Sequence, residues 1–191
     1  YCLASSEYYY IDKTMMIKDF IDERPMVTLF TRPRRFGKTL NQFMIRRFFE
    51  DEITEKGEKV DNGYLFDGLA ITRCGEEIMQ HQQRYPVIFM SLKSAKQDSY
   101  DMAYASLIDE LSKEFKRHAY LLQGESLSPK EKQEFQLVMD KEAQPIAYAK
   151  ALGFLSECLS KYHGHKTIIL IDEYDVPLEN AYLRGFYDEM I

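Results

Sequence analysis

The residues best suited to chemistry in this sequence form one short segment that contains a glycine, a lysine and a threonine. Residues 32–39 read RPRRFGKT. In such a segment glycine lets the backbone approach an anion, a lysine ammonium reaches the β- and γ-oxygens of a nucleoside triphosphate, and a threonine hydroxyl binds Mg²⁺. We therefore interpret Gly37, Lys38 and Thr39 as the centre of a phosphate-binding loop (Walker A), with Lys38 also acting in catalysis.

The segment departs from the usual loop pattern at one position. That pattern, G-x-x-x-x-G-K-[ST], has a glycine where this chain has Arg32. Short Gly-Lys-Thr sequences also occur by chance. Taken alone, the segment leaves a nucleotide site and an ordinary charged turn equally open.

A pair of acids far downstream supplies the second half of a nucleotide site. Asp172 and Glu173 directly follow an apolar run at residues 168–171. At the end of a buried strand Asp172 can hold Mg²⁺ through water, and Glu173 can polarise the attacking water as in a Walker B motif. A solvated strand end is the alternative. The two motifs together favour a nucleotide site, provided that folding brings the acids and Lys38 to one magnesium-phosphate group.

The elements around the lysine segment must present it to an anion. Residues 26–30 are apolar strand formers, and they predict a buried strand that leads into the loop. Residues 38–50 predict an amphipathic helix with one face against a sheet. The apolar residues of that face are Leu40, Phe43, Met44 and Phe48. A strand, a loop and a helix in this order direct backbone N–H groups and the positive helix end toward one anion.

Further strands and helices are predicted downstream. The strands cover residues 86–92 and 167–171, and their apolar character suits the parallel sheet of an α/β protein with helices on both faces. Helices are predicted at 101–122, after a capping box that starts at Ser128, and along a stripe that ends near Gly164. One P-loop NTPase domain over residues 1–191 accounts for these elements. The strand at 86–92 lies either between the other two strands or outside them.

The composition is that of a globular protein. The chain of 191 residues has a net charge of −6, which argues against a surface built throughout for nucleic acid but neither names nor excludes DNA as a partner. Cys2, Cys74 and Cys158 lack zinc-ligand spacing, so we expect reduced thiols. No apolar run approaches the roughly 20 residues that span a bilayer, and no signal peptide opens the chain, so we expect a cytoplasmic protein.

Four segments resemble the predicted AAA-ATPase-like proteins of bacteria. The arginine-rich segment that ends in Phe-Gly-Lys-Thr is the most specific of them, and the family carries arginine at the position of Arg32 as well. Together the segments span nearly the whole chain. They are residues 10–14, residues 31–39, residues 86–89 with Ser91, and residues 171–175 with Pro177 and Leu178.

The resemblance implies that ATP and Mg²⁺ are the ligands. Lys38 and Thr39 would then contact the phosphates and the metal, Asp172 the metal, and Glu173 would be the catalytic base. The resemblance also implies that residues 10–14, with Asp12, lie near the base or the ribose, whereas a solvated turn is the alternative. The nucleotide-binding set is completed by Arg34, Arg35, Phe36 and Leu40. The two arginines either lie over the phosphates, face a neighbouring domain or are surface charge.

Members of this family often carry a PD-(D/E)XK nuclease-like domain after the ATPase, so we expect such a domain as a partner. A P-loop core of this branch has about five parallel strands, so we expect the core to be truncated at the C-terminus. The oligomeric state stays open. Two functions remain: an ATPase that drives or gates an attached effector, and a nucleotide-gated interaction module with little turnover. Nuclease activity of the chain itself finds no support, since no second acid is followed by Glu-x-Lys.

Overall fold

A computed structural model describes residues 11–31 and 36–191. These residues divide into two compact units. The N-terminal unit contains residues 11–31, 36–52 and 61–84, and the C-terminal unit contains residues 53–60 and 85–191. No helix in the described ranges combines the length and the apolar content that crossing a membrane requires.

The N-terminal unit is helical in its described part. It contains α1 (Met15–Glu23), α2 (Lys38–Phe49) and α3 (Glu76–Met79), with 3-10 turns at Gly63–Phe66 and Ala70–Arg73. Ile17, Phe48 and Ile71 are completely buried in it. The rings of Phe48 and Phe66 meet edge to face with centroids 5.2 Å apart, which joins α2 to the first 3-10 turn.

The helix predicted at 38–50 is confirmed as α2, but most of its predicted apolar face is wrong. Leu40 and Phe43 are 41% and 40% exposed, and Met44 is half-buried. Phe48 is buried as predicted, and its buried neighbours are Ile45 and Phe49. Phe66 packs against Phe48 in the C-terminal half of α2, where the buried apolar residues of the helix lie.

The prediction of a buried strand at residues 26–30 is wrong. The segment has no strand assignment, and Met26 and Val27 are 102% and 88% exposed. Only Phe30 makes an aromatic contact, edge to face with Phe20 of α1 at 5.8 Å. Strand propensity measures how well side chains fit a paired and half-buried surface, and no described strand pairs with this segment.

The C-terminal unit confirms the elements predicted for the rest of the chain. In chain order they are β1 (Val87–Ser91), a 3-10 turn (Leu92–Ala95), α4 (Tyr100–Arg117), a 3-10 turn (Ala119–Leu122), α5 (Pro129–Met139), α6 (Pro145–His163), β2 (Ile168–Asp172), α7 (Val176–Arg184) and α8 (Tyr187–Met190). The predicted capping box is present, since the Ser128 hydroxyl accepts the N–H of Glu131 and the Glu131 carboxylate accepts the N–H of Ser128. Helix α6 is followed by Gly164, which caps its C-terminus with a left-handed φ of 70°.

The core of this unit joins one face of β1 to three helices. Ile88 and Met90 from β1 are buried in it together with Phe115 of α4, Phe135 of α5 and Leu155 of α6. The rings of Phe115 and Phe135 lie 4.7 Å apart. Burial of such side chains is the main source of the unit's stability, and it fixes β1 against α4.

The sheet of the described residues consists of β1 and β2 in parallel pairing. The protein is therefore a mixed α/β structure with a small parallel sheet and many helices. The prediction that the acid-bearing strand is covered on both faces is not met at every position. Ile169 of β2 is 44% exposed, whereas Ile88, its partner in register, is completely buried.

Candidate functional site

The glycine before Lys38 has the backbone conformation that a phosphate-binding turn needs. Gly37 has a φ of 77°, a left-handed value that a residue with a Cβ rarely adopts. Its carbonyl accepts the N–H of Asn41 at 2.9 Å, which makes Gly37 the N-cap residue of α2. The start of a helix directs backbone N–H groups and the positive end of the helix dipole outward, an arrangement that suits an anion.

Lys38 and Thr39 lie in the first turn of α2, where the sequence predicts them. Lys38 is half-buried and Thr39 is exposed. Phe36 is 58% exposed and Leu40 is 41% exposed, so both flank this helix end at the surface. Arg34 and Arg35 lie outside the described residues, as do Arg32 and Pro33, and the roles proposed for the two arginines stay predictions.

The acids form a turn at the carboxyl end of β2. Asp172 is the last residue of the strand and is buried, with 6% exposure. Its Oδ1 accepts the backbone N–H of Glu173 at 3.1 Å. Glu173 has a φ of 54°, although it is not a glycine. Such a conformation costs on the order of 1–3 kcal/mol. Arg24, Gln83 and Lys141 also have a positive φ. The conformation therefore makes Glu173 a candidate for function only together with its position at the carboxyl end of β2.

The register of the sheet adds a residue that sequence reasoning did not include in the site. Ser91 is the Cα partner of Asp172, so the last residues of the two strands are side by side. In a parallel pair, partners in register direct their side chains to the same face. A hydroxyl therefore lies beside the buried carboxylate. The sequence names Ser91 only as part of a segment that resembles the family, and the strand pairing is what places it next to Asp172.

The segments that follow the two strands are joined by a hydrogen bond and an ion pair. Asn180 of α7 is buried and donates to the carbonyl oxygen of Gln97. Arg184, also in α7, forms an ion pair with Asp98 at 3.0 Å. Helix α7 starts three residues after Glu173, whose carbonyl accepts the N–H of Val176 at 3.1 Å. These contacts hold the acid turn at the carboxyl end of the sheet.

Asp12 has a structural task in the described fold. Its Oδ1 accepts the N–H of Thr14 at 2.8 Å and its hydroxyl at 2.7 Å, and its Oδ2 accepts the N–H of Ala70 at 2.7 Å. Partial burial would raise the pKa of Asp12, but the hydrogen bonds from Thr14 and Ala70 outweigh it and hold the pKa below its ordinary value. These bonds place Asp12 in the turn that opens α1, and contact with the base or ribose stays a prediction.

Two residues that the sequence predicts to bind Mg²⁺ lie in the part of the chain that the structure describes. Among residues 11–31 and 36–191 no group of three or more His, Cys, Asp or Glu side chains could hold a metal ion. Mg²⁺ at nucleotide sites is bound by one or two protein oxygens, with phosphates and water as its other ligands. The hydroxyl of Thr39 and the carboxylate of Asp172 are donors of that kind. The first belongs to the N-terminal unit and the second to the C-terminal unit.

Comparison with known proteins identifies the class to which this fold and these residues belong. The family described as Predicted AAA-ATPase matches residues 2–191. The chain therefore belongs to the predicted AAA-ATPase family, and the family-level resemblance is confirmed. No curated protein and no solved structure matches the chain. Membership in this family points to nucleotide binding, with ATP as the nucleotide.

Proposed function

We propose that the protein binds ATP with Mg²⁺ and hydrolyses it. The observation that carries the proposal is the turn at the end of β2, where the buried Asp172 is followed by Glu173 in a left-handed conformation. In α/β proteins, ligands bind at the carboxyl ends of parallel strands. A strained acid at that edge is typical of a group held for chemistry. The start of α2 at Lys38, directly after the glycine N-cap Gly37, supports the same proposal from the other motif.

In this proposal each residue has one task. The backbone N–H groups at the start of α2 and the Lys38 ammonium bind the phosphates. Thr39 and Asp172 are the residues that would hold Mg²⁺, which neutralises phosphate charge when bound. Glu173 accepts hydrogen bonds from the attacking water and orients it. Arg34 and Arg35 are proposed to contact the phosphates, with Phe36 and Leu40 beside them.

The test measures ATP affinity and phosphate release separately, with the full-length protein. Glu173→Gln keeps the shape of the side chain, so we expect ATP affinity to stay close to wild type while phosphate release falls by about 100-fold or more. Lys38→Ala removes charged hydrogen bonds to phosphate, so we expect ATP affinity to fall by about tenfold or more.

Two variants serve as matched controls. Lys130→Ala removes an exposed lysine from the first turn of α5, whereas Lys38→Ala removes a half-buried lysine from the first turn of α2. Glu189→Gln neutralises an exposed acid on α8. Both control variants should bind ATP and release phosphate as the wild-type protein does. Wild-type phosphate release in both Glu173→Gln and Lys38→Ala would rule out the assigned roles. Tight binding without turnover in the wild-type protein would instead favour the nucleotide-gated module.

We extend the proposal to the coupling of ATP binding and hydrolysis to an effector domain. A nuclease-like domain is the candidate effector. What supports this is the position of α7, which follows the acid turn directly and presents an apolar surface. Leu178, Tyr182 and Leu183 of α7 are 41%, 74% and 72% exposed. Amide exchange of α7 in the full-length protein, with and without a non-hydrolysable ATP analogue, tests the coupling. Identical exchange under both conditions would count against it.

A further inference from the structure

Two side chains of α4 bind the backbone of β1 at the edge that faces away from β2. One hydrogen bond shows which residues of β1 turn their backbone groups toward β2. In it the N–H of Ile168 in β2 donates to the carbonyl of Pro86 at 3.0 Å. In a strand, the N–H and C=O of one residue point to the same side, and the next residue points to the other side. Ile88 and Met90 therefore face β2, whereas Val87 and Phe89 face outward.

Glu114 and Arg117 form hydrogen bonds with backbone groups at that outward edge. The carboxylate of Glu114 accepts the N–H of Phe89 at 2.8 Å. The guanidinium of Arg117 donates to the carbonyl oxygen of Val87 at 2.5 Å. A neighbouring strand would offer the same pair of groups, an acceptor for one residue and a donor for the other, at the same two positions.

The pair is built into the core and is not a surface ion pair. The side chain of Glu114 is 6% exposed, and that of Arg117 is 24% exposed. Arg117 Nε also donates to Glu114 Oε2 at 3.0 Å, and His118 Nε2 lies 3.4 Å from Glu114 Oε1. A buried charge is retained only where it is paired and hydrogen-bonded, and both conditions are met here.

We propose that Glu114 and Arg117 are positioning residues that take the place of a neighbouring strand at the outer edge of β1. They close that edge to any further strand, so β1 is the outer strand of the sheet and not an intervening one. They also prevent β1 from sliding along its own axis relative to β2. In this way they hold Ser91 beside Asp172 in the observed register. This last step rests on the proposed function, whereas the closed edge does not.

The first test concerns the edge and needs no nucleotide. It measures the exchange rate of the Phe89 amide by NMR in protein labelled with ¹⁵N-phenylalanine, and the oligomeric state by sedimentation. Arg117→Ala and Glu114→Ala should each accelerate exchange at Phe89, Glu114→Ala by about tenfold or more, since a charged hydrogen bond is lost. An opened edge should also promote self-association. Lys116→Ala is the matched control, because it removes an exposed cation from the same last turn of α4.

Exchange at Phe89 that is no faster in the alanine variants than in Lys116→Ala overturns the proposal. If Glu114→Ala does not fold, the comparison of Arg117→Ala with Lys116→Ala decides alone. Glu114→Gln retains an acceptor oxygen and should restore most of the protection of Phe89.

The second test concerns the register that pairs Ser91 with Asp172, the proposed Mg²⁺ ligand. It titrates Mg²⁺ against binding of a fluorescent ATP analogue and compares Arg117→Ala with Lys116→Ala. We expect Arg117→Ala to need more Mg²⁺ for half-maximal binding, with Glu114→Gln closer to wild type. An unchanged Mg²⁺ requirement alongside faster exchange at Phe89 overturns the positioning role. A wild-type protein that binds no ATP analogue counts against the proposed function instead, and leaves the result on the edge unaffected.

Discussion

Lowering the pH should reduce the free energy of unfolding, because Glu114 becomes protonated. The size of this loss follows from the pKa of Glu114 in the folded protein. Burial would raise the pKa of Glu114, but the hydrogen bonds from Arg117 and the His118 ring 3.4 Å away outweigh it and lower the pKa from 4.5 to about 2. A carboxylate with a lowered pKa in the folded state stabilises the protein above its unfolded pKa. That stability is lost as the pH falls toward the folded pKa. A tenfold change in an acid dissociation constant corresponds to about 1.4 kcal/mol, so Glu114 contributes about 3 kcal/mol at neutral pH, and about 2 kcal/mol of this is lost by pH 3.

The assay is urea unfolding of wild type and Glu114→Gln at a series of pH values between about 3 and 6. Other acids with lowered pKa values, such as Asp12 and Glu131, are present in both proteins. Their titration therefore cancels in the difference between the two free energies of unfolding. We expect this difference to be largest near pH 6 and to shrink by about 2 kcal/mol at pH 3. A difference that stays constant over this range would refute the reasoning, since it would mean that Glu114 has the same pKa in both states.

Three further predictions follow from local structure. Ser128→Ala removes the cap of α5 and should lower the free energy of unfolding by about 1 kcal/mol, measured by urea unfolding. Burial raises the pKa of the Cys158 thiol to about 12, so Cys158 should resist alkylation at pH 8 in the folded protein while the half-buried Cys74 reacts, and mass spectrometry can locate the adducts. Gly153→Ala, at a helical position with open space around the Cβ, should raise the melting temperature, whereas Gly164→Ala should lower it because Gly164 has a left-handed φ. Equal shifts for the two glycines would contradict this.

Local signals in the sequence were sufficient for most elements of the C-terminal unit. The strand at β1 and the capping box at Ser128 could be predicted because each depends on residues close together in the chain. The same kind of signal failed at residues 26–30, where strand-forming residues have no described strand to pair with. It failed again at Leu40 and Phe43, because helical spacing cannot tell which side chains of an apolar stripe become buried.

The sequence by itself determined the residue types and the order of the motifs: Gly37 and Lys38 at the start of a helix, and Asp172 at the end of a strand. Only the tertiary structure decided that Ser91 is beside Asp172 and that Glu114 binds the edge of β1. The physical reason is that hydrogen bonds across a strand edge join residues distant in the chain. Their register is fixed by packing that no local pattern encodes.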